Sequence, residues 1–363
     1  MTPTYWDYLR LDSLLDLQGG LEGDESKLMP DELHFIIVHQ AYELWFKLAL
    51  RSLRLARDHL AAETVPEDAI PHVVHHLRRV TEILRLGVDQ FRVMETLTPI
   101  DFLDFRDKLV PSSGFQSFQM RELEILLGLE EAQRESYGDV HPLDHIQKLA
   151  EDSPGGALAW SRIVKARGEL SVREALHRWL FRTPIQGSSP DDPRDEEAVK
   201  AFVEEYLGKA ADRREQQLAR MIEVGAGSPD GLRRRFEATA QHAREFLLGE
   251  TVSPNRRRVR AAVLFIESYR ELPLLAWPRL LVDTILEVEE ELVIWRHRHA
   301  RMVERLIGRR VGTGGSSGVD YLDKTAKYRV FPELWTVRTM LSARDTLPEL
   351  RNTEQYGFNK SGA

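Results

Sequence analysis

Cysteine is missing from all 363 residues. Its absence excludes disulfides, cysteine-ligated zinc, iron–sulfur clusters and thiolate-ligated haem, and it suits a reducing compartment such as the cytoplasm. A basic excess is missing too, with 50 Lys and Arg against 58 Asp and Glu and a formal charge of −8. A chain whose main partner is nucleic acid usually carries the opposite balance. No apolar run is long enough for a bilayer, because Leu272 to Leu292 is broken by Pro273, Pro278, Arg279, Asp283 and a cluster of glutamates. The first residues, Met1 to Leu11, lack the basic n-region and apolar run of a signal peptide. The expectation is a soluble, cytoplasmic protein. What is present is 42% hydrophobic and 30% charged residues at a mean hydropathy of −0.38, enough for a large core and too apolar for disorder.

Period-2 alternation is scarce and helical spacing dominates, so the fold class is all-α. Asp31 can cap a long helix over about 32–61, and a second helical stretch covers about 71–97. Thr98-Pro99-Ile100-Asp101 reads as a helix start, with a hydroxyl cap, a proline in the first turn and an acid three residues on. Pro111-Ser112-Ser113-Gly114 ends that helix, and another runs from near Phe115 to about Glu131. Ser153-Pro154-Gly155-Gly156 reads as a turn, and Thr183 to Asp195 as an exposed loop. Charged helices follow over about 196–224 and 229–248, then a last long helix over about 280–307. The arginine runs Arg233 to Arg235 and Arg256 to Arg258 read as solvated faces, with binding of something anionic as the alternative. No internal repeat or composition shift marks a second domain, so 1–363 is expected to be one helical domain with a loop-bearing helical insert over about 131–250.

Three polar residues interrupt apolar stripes. Leu281, Ile285, Val288, Leu292, Trp295, His299, Met302 and Leu306 share one face of the last long helix, and His299 is the polar member. A buried imidazole needs a partner, since an unpaired buried polar group costs about 1–3 kcal/mol. His299 is therefore either a core histidine bonded to a carbonyl or carboxylate, or a metal or haem ligand. Phe35, His39, Tyr42, Phe46, Ala49 and Leu53 form a similar stripe on the first long helix, where His39 reads by itself as a satisfied core residue. Phe102, Arg106 and Leu109 share a face of the short helix. Arg106 cannot lose its proton, so it either pairs with an internal acid such as Glu95 or Asp104 or grips a ligand carboxylate. Gly312-Thr313-Gly314-Gly315-Ser316-Ser317-Gly318 is a flexible turn that lacks the strand and the Gly-Lys-Ser/Thr ending of a phosphate loop. His72, His75 and His76, or His141 and His145, are weaker metal candidates without a His-Glu-x-x-His signature.

In combination and in this order, these signals resemble the tryptophan 2,3-dioxygenase family. The matching segments are Thr4-Tyr5, Tyr8-Leu9 and Leu11-Asp12, then Phe35 to Gln40 and Tyr42 to Lys47. Glu95 to Pro99 follows, leading into Phe105-Arg106-Asp107, and then Pro111 to Ser117. Trp295-Arg296 with His299, the loop Gly312 to Gly318 and Phe331 to Leu334 complete the set. The stretch from about Glu131 to Glu250 matches poorly.

The resemblance implies a helical homotetramer with one haem b per subunit, O2 as co-substrate and L-tryptophan as substrate. It implies His299 as the axial iron ligand, Arg106 as the clamp on the substrate carboxylate, and Thr313 as the contact to its ammonium. His39 becomes the distal histidine that bonds the indole nitrogen, with base catalysis as a secondary role. Phe35 belongs to the indole wall, with Ile36, Ile37, Val38 and Phe102 also on the substrate side. Phe102 stands where some bacterial members carry Tyr. Residues 1–30 are expected at a neighbouring subunit, with Tyr5, Tyr8 and Leu9 reaching its pocket. The implied reaction is cleavage of the indole C2–C3 bond to N-formyl-L-kynurenine, the first step of the kynurenine pathway. The rival readings are a haem-dependent monooxygenase of a substituted tryptophan and a non-catalytic haem or tryptophan sensor. The distal His39 argues against the indoleamine dioxygenases, which typically carry Ser there.

Overall fold

The computed structural model describes residues 2–66, 68–136, 141–151, 153–314 and 318–357. Within them the secondary structure is helical, and one isolated bridge between Ile185 and Ser188 is the only β pairing. Among the described residues no helix is long and apolar enough to cross a membrane.

Several helix starts follow side-chain capping chemistry. The Thr98 hydroxyl accepts the Asp101 N–H at 3.3 Å and opens the Pro99–Arg106 helix. The Ser228 hydroxyl does the same for Gly231 at 3.2 Å, ahead of the Pro229–Leu248 helix. Several expectations need correction. The stretch from Thr183 to Asp195 is not an exposed loop throughout, because Thr183, Ile185, Gln186, Ser188 and Asp195 are buried. Asp31 has φ +63, outside the extended conformation of an N-cap, and the Glu32 carboxylate accepts the Met29 N–H at 3.0 Å instead. Ser153 to Gly156 is not a free turn: the Ser153 hydroxyl accepts the Gly156 N–H at 3.0 Å and starts the Pro154–Arg167 helix. The last long helix begins at Ala276, because Pro278 lies in the first turn and removes no helical bond there.

The chain divides into two compact units. The first comprises Met1–Leu55, His75–Val172 and Glu287–Val330. An aromatic group lies at its centre, where Tyr42 stands 5.4 Å from Phe91 and 6.0 Å from Trp295, ring centre to ring centre. The Tyr42 hydroxyl donates to the Gly87 carbonyl at 2.6 Å, joining the Glu32–Ala61 and Ala69–Met94 helices. Arg85 pairs with Glu287 at 2.6 Å and with Glu291 at 2.9 Å.

The second unit comprises Ala56–Val74, Arg173–Leu286 and Phe331–Ala363. Phe265 anchors its core, 5.5 Å from Phe202 and 5.3 Å from Tyr356. Arg258 is buried beside it in sequence. It grips Asp195 through Nε at 2.7 Å and Nη2 at 3.0 Å, and also donates to the carbonyls of Phe181 and Thr183. The run Arg256 to Arg258 is thus no solvated face, although Arg233 to Arg235 is exposed as expected.

Inside the first unit one carboxylate holds three cations. Glu124, buried on the Phe118–Leu127 helix, lies 2.5 Å from Arg134, 2.7 Å from Arg296 and 3.1 Å from Arg121. Burial alone would raise its carboxyl, but Arg121, Arg296 and Arg134 outweigh burial and hold it down at about 2, below the ordinary 4.5. A depressed folded value means that this stability is present above about pH 4.5 and is lost as pH falls towards 2. Glu124→Gln is expected to cost about 3–5 kcal/mol, because it leaves buried guanidiniums without their counter-charge. Urea unfolding at neutral pH checks the loss, and the gap to the parent should close between about pH 4.5 and 2. A loss below about 1 kcal/mol would show that Glu124 is not the balancing charge.

Candidate functional site

A cavity of about 550 Å³ opens within the first unit. Its walls come from the segments around Phe35 to Phe46, Phe102 to Leu109, Ser112 to Arg121, Trp295 to Ile307, Gly312-Thr313 and Gly318 to Thr325, with Phe91 and Met94. Aromatic and aliphatic side chains dominate, and a few polar groups converge among them: His39, Arg106, Thr313, Arg121, Arg296 and His299. An apolar hollow with sparse, directed polar groups is the usual form of a small-molecule or cofactor site.

His299 enters the cavity from the apolar stripe of the Ala276–Ile307 helix. Its ring packs nearly parallel to Phe91, with centres 5.7 Å apart and planes at 13°, and lies 5.1 Å from the Trp295 ring. Neither ring nitrogen bonds to any described residue. Burial pushes the imidazole down to about 4, with His39, Arg296 and Arg121 adding to the effect, so it is neutral at physiological pH. A neutral imidazole in an apolar wall, without a hydrogen-bond partner among the described residues, keeps a nitrogen lone pair that a metal or cofactor could use. The reading of His299 as a core histidine satisfied by a protein carbonyl or carboxylate finds no such partner among the described residues. Gly87 leaves room for the packing behind it. A Cβ there would fall 3.0 Å from Trp295 Nε1 and 3.3 Å from Tyr42, so a larger residue would displace the indole by a few tenths of an ångström.

Arg106 reaches a backbone carbonyl instead of an acid. Its Nη2 donates to Val311 at 2.5 Å, and its Nε is buried without a hydrogen-bond partner. Glu95 belongs to Arg298, at 2.8 Å, so the internal ion pair considered from the sequence does not form with it. Thr313 donates its hydroxyl to the Ser112 carbonyl at 2.6 Å. Together these two bonds tie the segment after the last long helix to the segment around Arg106. Residues 315–317 of the glycine loop lie outside the described residues.

His39 Nδ1 stands 2.7 Å from the Phe35 carbonyl, one turn back on its own helix. A carbonyl can only accept, so Nδ1 carries the proton and Nε2 keeps a lone pair. Burial lowers the pKa of this imidazole, opposed by the Phe35 carbonyl and Glu43. Phe35 covers the ring at 4.0 Å and lies 5.7 Å from Phe102 and 5.6 Å from Phe105.

The cavity therefore brings together Phe35, Val38, His39, Phe102, Arg106, Thr313 and His299. It does not bring in Ile36 or the exposed Ile37. Tyr5, Tyr8 and Leu9 sit on the Tyr5–Leu9 helix, 71%, 80% and 41% exposed, and line no part of it. Gly87, Phe91 and Arg121 were not singled out from sequence. Arg121 sits on a helix whose Glu122 and Glu124 are also buried, so no amphipathic pattern marks it. The histidines offered as metal ligands go elsewhere: His141 caps a helix through Nδ1, and no cluster of potential metal ligands exists among the described residues.

Comparison with known proteins identifies a family. The family model for tryptophan 2,3-dioxygenase matches residues 1–341. The chain is 48% identical to the tryptophan 2,3-dioxygenase of Sorangium cellulosum, over 98% of this chain and 87% of that one. It is 48% identical to tryptophan 2,3-dioxygenase 2 of Ralstonia nicotianae, over 98% and 97% respectively. The tryptophan 2,3-dioxygenase of Alteromonas mediterranea is 34% identical over 95% of this chain and 94% of its own.

Proposed function

The chain belongs to the tryptophan 2,3-dioxygenase family, and on that premise we propose that it is a haem-dependent oxidoreductase that opens the indole ring of L-tryptophan between C2 and C3. Both atoms of O2 enter the product, N-formyl-L-kynurenine, in the first step of tryptophan breakdown by the kynurenine pathway. The observation that carries this reading is the meeting of His39, Arg106, Thr313 and His299 in one apolar cavity of about 550 Å³.

The residues fit a haem. His299 Nε2 or Nδ1 is free to ligate, its neighbours are aromatic, and Arg121 and Arg296 supply positive charge at the same wall. When bound, haem supplies the iron at which dioxygen is activated. The chain's own residues handle the amino acid. Arg106 exchanges the Val311 carbonyl for the substrate carboxylate, a charged and therefore stronger acceptor. Thr313 already donates its hydroxyl hydrogen bond to the Ser112 carbonyl, so its remaining lone pairs accept from the ammonium. His39, protonated at Nδ1, offers Nε2 to the indole N–H and fixes the ring against Phe35 and Phe102. Holding both ends of the zwitterion while orienting the indole is the positioning that such a reaction needs. A homotetramer accounts for the exposed Tyr5, Tyr8 and Leu9, which in this reading cover a neighbouring copy's cavity in a cytoplasmic enzyme.

Ferrous protein mixed with L-tryptophan in air should give a product heavier than the substrate by both oxygen atoms. One added oxygen would point to a monooxygenase, and haem binding without turnover to a sensor. Either result would overturn the proposal. His299→Ala should lose the Soret band after haem reconstitution and recover it in added imidazole, which can fill the vacated position. Full haem retention without imidazole would remove His299 from the axial role. Arg106→Leu should keep haem and lose about 2–3 kcal/mol of transition-state stabilisation, roughly 30- to 150-fold in kcat/KM. Because burial lowers the His39 pKa below 6.5, kcat/KM should stay level from pH 8 to 6.5 and fall only below that range. A fall centred above pH 6.5 would contradict a neutral His39.

A further inference from the structure

Two arginines that line the cavity take no part in holding the amino acid. Arg296 and Arg121 both border it beside His299. Arg296 stands three residues before His299 on the Ala276–Ile307 helix, a spacing that makes the two side chains neighbours on the helix surface. Its guanidinium is fixed by three contacts. It donates through Nη2 to Glu124 at 2.7 Å and through Nη1 to the Thr325 carbonyl at 3.3 Å, and it lies over the Tyr328 ring at 4.8 Å. Arg121 pairs with the same carboxylate at 3.1 Å. Arg296 and Arg121 line the cavity and Glu124 does not, so the positive end of each pair is the nearer one to the site.

Water and salt screen this pair little, because Arg296 is 5% exposed and Glu124 1%. A unit charge in such surroundings acts more strongly, and over a longer distance, than one at a surface. Both charges are also permanent. An arginine keeps its proton at any working pH, and Glu124, with its carboxyl held down at about 2, is ionised at neutral pH. The positive end is felt at the imidazole: after burial and His39, Arg296 and Arg121 are the groups that disfavour a proton on His299. A field that opposes a proton at that ring opposes any gain of positive charge at an iron the ring ligates. Oxidation from ferrous to ferric is such a gain.

We infer that Arg296, held in place by Glu124, biases the oxidation state of the iron that His299 would ligate: its buried positive charge favours ferrous haem, the state that takes up dioxygen, over ferric. This rests on the haem-binding reading of the cavity. It makes Arg296 a residue that tunes the site without touching the amino acid, and gives the Glu124 cluster an electrostatic role beside its structural one.

Spectroelectrochemical titration of the haem-reconstituted full chain is the test, with electrons supplied by the electrode and neither tryptophan nor dioxygen present. Arg296→Met should lower the ferrous-to-ferric ratio at a fixed potential about tenfold, a fall of about 59 mV in the one-electron midpoint. Arg296→Lys should lie close to the parent, because it keeps the charge. Glu124→Gln should move the midpoint upwards, since it removes the opposing negative charge. Opposite signs are what charge demands, whereas a helix merely loosened by either change would shift both variants the same way. An Arg296→Met midpoint equal to the parent's, or shifts of one sign in Arg296→Met and Glu124→Gln, would overturn the inference and leave haem binding standing. A parent without a Soret band would overturn the haem reading and this inference with it. Should Glu124→Gln fail to hold haem, the two Arg296 variants decide, and an equal fall in both would overturn the inference.

Discussion

The grip of Glu124 on Arg121, Arg134 and Arg296 is the constraint on which the cavity rests. Arg296 follows Trp295 on the helix that carries His299, so the ion pair fixes that helix against Phe118–Leu127. A buried ionic group of this kind adds little net stability over an apolar replacement, yet breaking it is expensive. Its value here is registry. It sets the rotation of a helix whose other contacts in the cavity are aromatic and would tolerate small slips. Arg296 also donates to the Thr325 carbonyl at 3.3 Å, which extends the constraint to the segment beyond the glycine loop.

With the helix fixed, packing rather than hydrogen bonding orients His299. Phe91 and Trp295 bracket the ring, and Gly87 gives Trp295 room to do so. Burial keeps the imidazole neutral, and the nearby guanidiniums reinforce that state. Both histidines of the cavity are thus held uncharged by the same dry surroundings. They differ in what else they touch. His39 spends one nitrogen on the Phe35 carbonyl, whereas His299 spends neither on a described residue. That difference leaves one ring nitrogen open on His39 and both on His299.

Much of this was legible in the sequence, and the reasons are local. Thr98 and the proline beside it announce a helix start through a contact three residues long, and the structure places that start there. His299 stood out because a single polar residue on an apolar stripe is visible from spacing alone. What was not legible depends on distant partners. Nothing near Glu124 in sequence shows that Arg296 will meet it, and nothing near Arg106 shows that Val311 rather than Glu95 will accept its bond. Ser153 to Gly156 misled because hydroxyl, proline and glycine serve equally as turn and as helix cap. Arg258 misled because charge composition cannot distinguish a solvated run from one buried on Asp195.

The bonds that Arg106 and Thr313 already make bear on selectivity. Both polar contacts expected for an amino acid are engaged with backbone carbonyls, so a ligand does not gain their full strength on entering. A neutral carbonyl is a weaker acceptor for a guanidinium than a carboxylate, by about 1–2 kcal/mol. Exchange at Arg106 is therefore favourable for a zwitterion and unfavourable for bare indole, which would bury itself against Phe35 and Phe102 and leave the Val311 bond in place. Thr313 asks for no exchange at all, since its hydroxyl can donate to Ser112 and accept from an ammonium together. In the proposed reading the apolar wall supplies affinity for the ring, and the difference between one acceptor and another at Arg106 selects for a ligand that carries a carboxylate.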